Sequence, residues 1–310
     1  MRRIITIAML LLSVLTTSAQ FAFRISDGGL KEPSYLFGTI HLLPGNLLDT
    51  CSVYLEAEAS CRQLYVESNV TDQQKREEQT GEAKQLMTLP DSLTIFDVMG
   101  AERMKLLQDR LLENHINLND SASMPYWRMK PMFFTSLLNS IITIEVIRQC
   151  PLVASSTGGI MDVTCITRAN NLGWKIGELD HFTEEEKQTN IKNVFDSQSL
   201  EAQVDTLMAL VNNFEERKQK ELKESERIAI MMDCWQKGDY DSFETNNVSE
   251  AENNPELIIR RNKKWLPIMI DAMKENPTLF VFGSLHLIGS SGVVSLLRDA
   301  GYKVEQMISL

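Results

Sequence analysis

Two stretches near opposite ends of the chain share one frame. Ser34–Gly45 is SYLFGTIHLLPG, and Thr278–Gly289 is TLFVFGSLHLIG. Each begins as a run of apolar, aromatic and β-branched residues, the composition of a buried strand. Each then continues Gly-x-x-His-Leu. The chain has only four histidines, and His41 and His286 both occupy this frame. A glycine three residues ahead of the histidine lets the backbone turn tightly and come close to a ligand. A chain with this pattern is expected to fold so that two distant strand ends, and the imidazoles on them, meet.

The sequence between and around these stretches predicts an α/β fold. Leu47–Ala59 has helical spacing, and Gln63–Val66 (QLYV) is a second strand that ends at Glu67. Strand, helix and strand make a βαβ unit with a parallel pair, which puts Glu67 on the strand next to that of His41. Trp174–Gly177 is a further short strand, followed by Glu178 and Asp180. After the second histidine, Gly292–Ala300 is a helix and residues 301–304 a final strand, giving a second βαβ unit. Between these ends the chain is helical: Thr71–Leu89, Ala101–Glu113, a long apolar helix opened by Met129-Lys130-Pro131, Met161–Asn170, and charged segments up to Ile258–Lys274. The expected fold is a mostly parallel sheet built from N- and C-terminal βαβ units. It forms one body over residues 20–310, with a helical insertion over roughly 71–160 and 184–276. The helix after Pro131 is apolar on much of its circumference, but Lys130, Asn139, Glu145 and Arg148 interrupt it, so it is a core helix rather than a membrane span.

The N-terminus has a different character. Arg2 and Arg3 precede an apolar run, Ile4–Leu15, and Thr17-Ser18-Ala19 is a small-residue cleavage site. That is a signal peptide over residues 1–19, and it predicts an exported protein, periplasmic or secreted in a bacterium. The rival reading is an uncleaved anchor. No cysteine stands at the cleavage point for a lipid. The net charge of −11 argues against nucleic acid and anionic membrane surfaces as partners. Export permits disulfides. The cysteines, Cys51, Cys61, Cys150, Cys165 and Cys234, are odd in number, and none has CxxC spacing. Cys51 and Cys61 are close enough to pair across a bend; buried thiols are the alternative.

His41, His286 and Glu67 form the first candidate set. Two imidazoles and a carboxylate are a common ligand triad for a catalytic divalent ion such as Mn, Co or Zn. In open α/β sheets such groups belong at strand carboxyl ends, where all three fall. Asp162 and Asp180 are acidic candidates for orienting an imidazole or taking a proton. Arg261 can grip a carboxylate or stabilise an oxyanion. His115 and His181 have no matching context. The chain has no G-x-S-x-G elbow, HExxH, P-loop or G-x-G-x-x-G, so serine-nucleophile, zincin, nucleotide and dinucleotide chemistries are not indicated.

These blocks together resemble the TraB/GumN family, which includes the TIKI metalloproteases. The matching pieces are LFGTIHLLP at 36–44, YVES at 65–68, MKP at 129–131, GIMD at 159–162, WKIGELD at 174–180, RRNKKW at 260–265 and VFGSLHLIGSSGVVSLLRDAGYKVE at 281–305. The resemblance implies a fold like that of the erythromycin esterase and ChaN-type proteins. It implies His41, His286 and Glu67 as the core of the active site, with an Arg-Asn pair at Arg261 and Asn262. The family's Leu-Glu is here Leu179-Asp180, a shorter side chain. For the TIKI branch the implied activity is metal-dependent hydrolysis of peptides, with Mn or Co favoured. Two other readings stand beside it. One is a metal-independent hydrolase of esters. The other is a non-catalytic binder of a peptide or haem-like ligand.

Overall fold

The structure is a computed structural model. It describes residues 21–308 except 42, 74–76, 78–80, 82–83, 150–158, 182, 184, 187–188, 190–191 and 194–196. The predicted signal peptide and Cys150 lie outside the described residues.

In chain order the strands are β1 (Ala22–Asp27), β2 (Ser34–Thr39), β3 (Gln63–Val66), β4 (Lys175–Glu178), β5 (Thr278–Gly283) and β6 (Tyr302–Gln306). The helices are α1 (Ser52–Ser60), α2 (Ile95–Glu113), α3 (Pro131–Arg148), α4 (Met161–Asn171), α5 (Leu200–Asn212), α6 (Phe214–Lys237), α7 (Tyr240–Asn253), α8 (Arg260–Glu275) and α9 (Val293–Asp299). The expected helix over Leu47–Ala59 is split: a 3₁₀ turn, Gly45–Thr50, and then α1, separated by Cys51 in an extended conformation. A single π turn, Pro255–Ile259, leads into α8.

The chain divides into two compact units. The first comprises residues 1–69, 157–180 and 230–310, and carries the whole sheet. The strand order is β4-β3-β5-β2-β1-β6. The four strands from β4 to β2 are mutually parallel, and β1 runs antiparallel to both β2 and β6. Every residue of β2 and β5 is buried, as a continuous apolar run covered on both faces requires. The edge strands differ. In β6, Lys303 and Glu305 are exposed, and Lys175 is exposed in β4, so charge blunts both edges.

Three expectations about the sheet are corrected. β2 and β3 are parallel but not neighbours, because β5 lies between them. Glu67 is therefore two strands from His41, and His286 comes from the strand between. β5 and β6 are not a pair either; β2 and β1 separate them. Connection length allows a crossover to skip a strand, and local sequence does not record which strand fills the gap. Finally, β1 was not expected, and it is the strand that joins β2 to β6.

The second unit comprises residues 70–156 and 181–229. Its core is formed by Leu107 and Leu111 of α2, Phe134, Leu138 and Ile142 of α3, and Val204 and Leu207 of α5. Thr94 and Asp97 reciprocally cap a short first stretch of α2, Gly100 breaks it in a non-helical conformation (φ 70°, ψ 165°), and the expected helix from Ala101 follows the kink. Pro131 is the first residue of α3, where its fixed φ and missing N–H cost nothing. Among the described residues no helix is long and apolar enough to cross a membrane.

Cys51, Cys61, Cys165 and Cys234 are buried thiols. Cys51 and Cys61 do not form the bridge their spacing allows, and burial pushes each thiol up to about 12.

Candidate functional site

The carboxyl ends of the four adjacent parallel strands each deliver one ionisable side chain. In the order of the sheet these are Asp180 beyond β4, Glu67 beyond β3, His286 beyond β5 and His41 beyond β2. Two helix starts close over them. Asp162 stands in the first turn of α4, and Arg261 and Asn262 in the first turn of α8. All of these residues belong to the first unit.

Both imidazoles turn the same atom toward Glu67. His41 Nε2 lies 3.8 Å from Glu67 Oε1, and His286 Nε2 lies 3.9 Å from that oxygen. In each ring the other nitrogen is held. His41 Nδ1 donates to Asp162 Oδ2 at 3.1 Å, and Asp162 Oδ1 accepts from the Thr39 hydroxyl at 2.9 Å. His286 Nδ1 donates to Asn262 Oδ1 at 2.6 Å. The Asn262 amide is oriented without ambiguity, since its Nδ2 donates to the carbonyls of His286 and Ser291. Each Nε2 therefore turns a lone pair toward the side of Glu67.

Arg261 ties the carboxylates together. Its Nη2 donates to Glu67 Oε2 at 2.5 Å and to Asp180 Oδ2 at 2.6 Å, while Nε donates to Asp180 Oδ1 at 3.0 Å. Its Nη1 is 3.3 Å from His286 Nε2. Trp265, one turn along α8 and fully buried, supports this layer. Its indole N–H donates to Asp180 Oδ1 at 2.8 Å, its ring packs against His286 with centroids 4.3 Å apart, and the guanidinium lies 4.8 Å above it.

The environments set the charges. Burial presses His286 down to about 3, so the ring is neutral. The hydrogen bond that His41 donates to Asp162 raises the imidazole above its ordinary value. Burial opposes ionisation of Glu67, but His286, Arg261, the Gly283 N–H and His41 outweigh it and hold the carboxyl below its usual range. Because His286 is neutral, the standing positive charge beside Glu67 is Arg261. The Gly283 N–H donates to Glu67 Oε1 at 2.7 Å. A Cβ on Gly283 would stand 3.1 Å from His41 Nε2 and 3.3 Å from Glu67 Oε1, so glycine keeps the space between them open.

The six sequence candidates thus lie in one cluster, with partners the strand-end pattern did not specify. Asp162 holds His41. Asp180, placed with Asp162 as a candidate for orienting an imidazole or taking a proton, is bonded to Arg261 and Trp265. His115 and His181 are exposed and have no part in the cluster. Trp265, Thr39 and Gly283 were missed. The available signal was helical: residues 261, 262 and 265 share one side of α8.

The donor set has the chemistry of a divalent-ion site in type and direction. It offers two imidazole Nε2 atoms whose Nδ1 atoms are anchored, and a carboxylate oxygen facing both. Donors around an ion at ~2.0–2.2 Å stand about 3.0–3.5 Å apart, somewhat closer than these are. Among the described residues no group of three His, Cys, Asp or Glu side chains is assembled to hold a metal ion as it stands. Arg261 engages two of the three members.

A mostly parallel α/β sheet with an ionisable cluster across four neighbouring strand ends defines the class of the protein. A family model for the TraB/PrgY/gumN family matches residues 21–306, and the chain belongs to that family. No curated protein and no solved structure matches the chain.

Proposed function

We propose that the protein is an exported, metal-dependent hydrolase that cleaves peptide bonds. The observation that carries this reading is the convergence of His41 Nε2 and His286 Nε2 on one oxygen of Glu67. These three residues would hold the ion, and a divalent Mn, Co or Zn supplies Lewis acidity when bound. The protein's own groups do the rest. Asn262 keeps His286 in the tautomer that offers Nε2, and Asp162 does so for His41. Arg261, fixed by Asp180 and Trp265, presents a cation where a substrate carbonyl oxygen gains negative charge. The basic and apolar residues 2–15 support an exported setting.

The test is metal content and cleavage of a mixed peptide library by the purified protein beside His41→Ala and His286→Ala. Wild type is expected to carry Mn, Co or Zn, and each variant to lose about 100-fold or more in cleavage. A wild type that takes up none of these ions and cleaves no better than the variants rejects the reading.

One observation favours a second reading, since Arg261 already neutralises Glu67 and faces His286 Nε2. In that reading His41, backed by Asp162, takes a proton from water directly, without metal. It requires hydrolysis that survives chelator and is lost in Asp162→Asn.

A further inference from the structure

We propose that Arg261 is a resident counter-cation that closes the cluster, and that a divalent ion binds only as its Nη1 leaves His286. This rests on the metal reading above. Of the three donors that would hold an ion, Arg261 engages Glu67 through Nη2 and His286 through Nη1. His286 spends its ring proton on Asn262, so the atom facing Nη1 is a lone pair, and the contact is a guanidinium N–H donating to imidazole. Arginine cannot shed its proton to make room. A divalent ion on the same two donors would meet like charge at close range, so the two cations exclude one another.

The surroundings give Arg261 a place to go. Asp180 grips Nε and Nη2 as a two-pronged partner, and Trp265 both fixes that carboxylate and stacks beneath the guanidinium. Nη1 is already 3.4 Å from the carbonyl of Leu257, on the π turn. A turn of the guanidinium from His286 toward that carbonyl frees the imidazole and exchanges the two-pronged grip of Asp180 for a single hydrogen bond, because the fork is rigid. Asp180 is thus the anchor of Arg261 in both positions, which accounts for its bonds to Arg261 and Trp265.

Titrating Mn²⁺ alone into the purified protein by calorimetry tests this, with the wild type beside two variants. Arg261→Gln removes the cation. Arg261→Gln with Asp180→Asn removes one charge of each sign, leaves the local net charge as it was, and guards against misfolding from an unpaired buried carboxylate. Both variants are expected to bind Mn²⁺ about tenfold tighter than wild type, a gain of ~1.4 kcal/mol. If wild type binds and the folded variants bind equally or more weakly, Arg261 is not a competing cation and this inference fails while the metal reading stands. If only the variants bind, the inference stands and the metal reading of the wild type fails. If none binds at millimolar Mn²⁺, both fail.

Discussion

Gly38-Thr39-Ile40-His41 and Gly283-Ser284-Leu285-His286 have the same spacing, follow neighbouring parallel strands, and place their histidines in different surroundings. The His41 side chain is 58% exposed and that of His286 4%. The sheet register shows where they part. Gly38 aligns with Phe282 and Thr39 with Gly283, so the frames are one residue out of step. β5 then enters a 3₁₀ turn over Ser284–His286, which tucks the second imidazole under Trp265, whereas His41 stands at the open end of β2. Each glycine makes room for the other frame. Ser284 and Leu287 lie over Gly38, and His41 Nε2 lies over Gly283. Nearly identical local sequence thus yields one buried neutral imidazole held by an amide and one exposed, more basic imidazole held by a carboxylate. Their partners, Asn262 and Asp162, come from elsewhere in the chain.

The largest expected effect separates the two rings by stability. His286→Ala removes a buried ring packed against Trp265 and Phe282 and should cost about 3 kcal/mol, on the scale of other large-to-small core changes. His41→Ala should stay within about 1 kcal/mol, as exposed changes do. Urea unfolding measures both, and equal losses would erase the distinction. Acid titration sharpens it. The folded pKa of His286, about 3, lies below its ordinary 6.5, so its contribution is complete above pH 6.5 and is lost as the pH falls toward 3. Between pH 6.5 and 5 that amounts to roughly 2 kcal/mol at ~1.4 kcal/mol per pH unit. His41 acts with the opposite sign: its raised pKa gives stability present below pH 6.5 and lost as the pH rises through the folded value. His286→Gln should therefore flatten the acid limb of a stability–pH curve, whereas His41→Gln should leave that limb unchanged and remove the loss of stability above pH 6.5. The same slope in both variants would mean that the two rings titrate alike.

How far these features were legible follows from whether local sequence encodes them. β2, β3 and β5 announce themselves as apolar, β-branched or aromatic runs, and a strand's end is a local property. That is why the strand-end positions of His41, Glu67 and His286 are legible from local sequence. The order β4-β3-β5-β2 could not be, because pairing between distant strands leaves no local trace. β1 was missed because AFRISD directly follows a long apolar segment and carries Arg24 and Asp27, which hide its alternation. The separate tasks of Asp162 and Asp180 were hidden for a related reason. Both carboxylates stand beside the right strands, but which cation or ring each one meets depends on where α4 and α8 begin. Asn262 was visible only as the neighbour of Arg261, and its bond to His286 requires the α8 start to lie against the turn after β5.

Effects smaller than that of His286→Ala come from the two glycines, and they test whether the frames make room for each other. A Cβ on Gly38 would lie 2.5 Å from Leu287 Cδ1 and 2.9 Å from Ser284 Oγ, both on buried residues of the second frame. Gly38→Ala should therefore cost roughly 1–2 kcal/mol by overpacking, and it should disturb His286 through the displaced turn. A Cβ on Gly283 meets only His41 Nε2 at 3.1 Å and Glu67 Oε1 at 3.3 Å. His41 is exposed and can retreat by a few tenths of an ångström, so Gly283→Ala should change stability by less than ~1 kcal/mol. It pushes apart the two atoms that the proposed function needs close, so its loss should appear in Mn²⁺ affinity and hydrolysis instead. Calorimetry and urea unfolding on the two variants separate the outcomes. If Gly283→Ala binds Mn²⁺ as wild type does, the space between His41 and Glu67 is incidental to function, and the second glycine serves only to turn the chain out of β5.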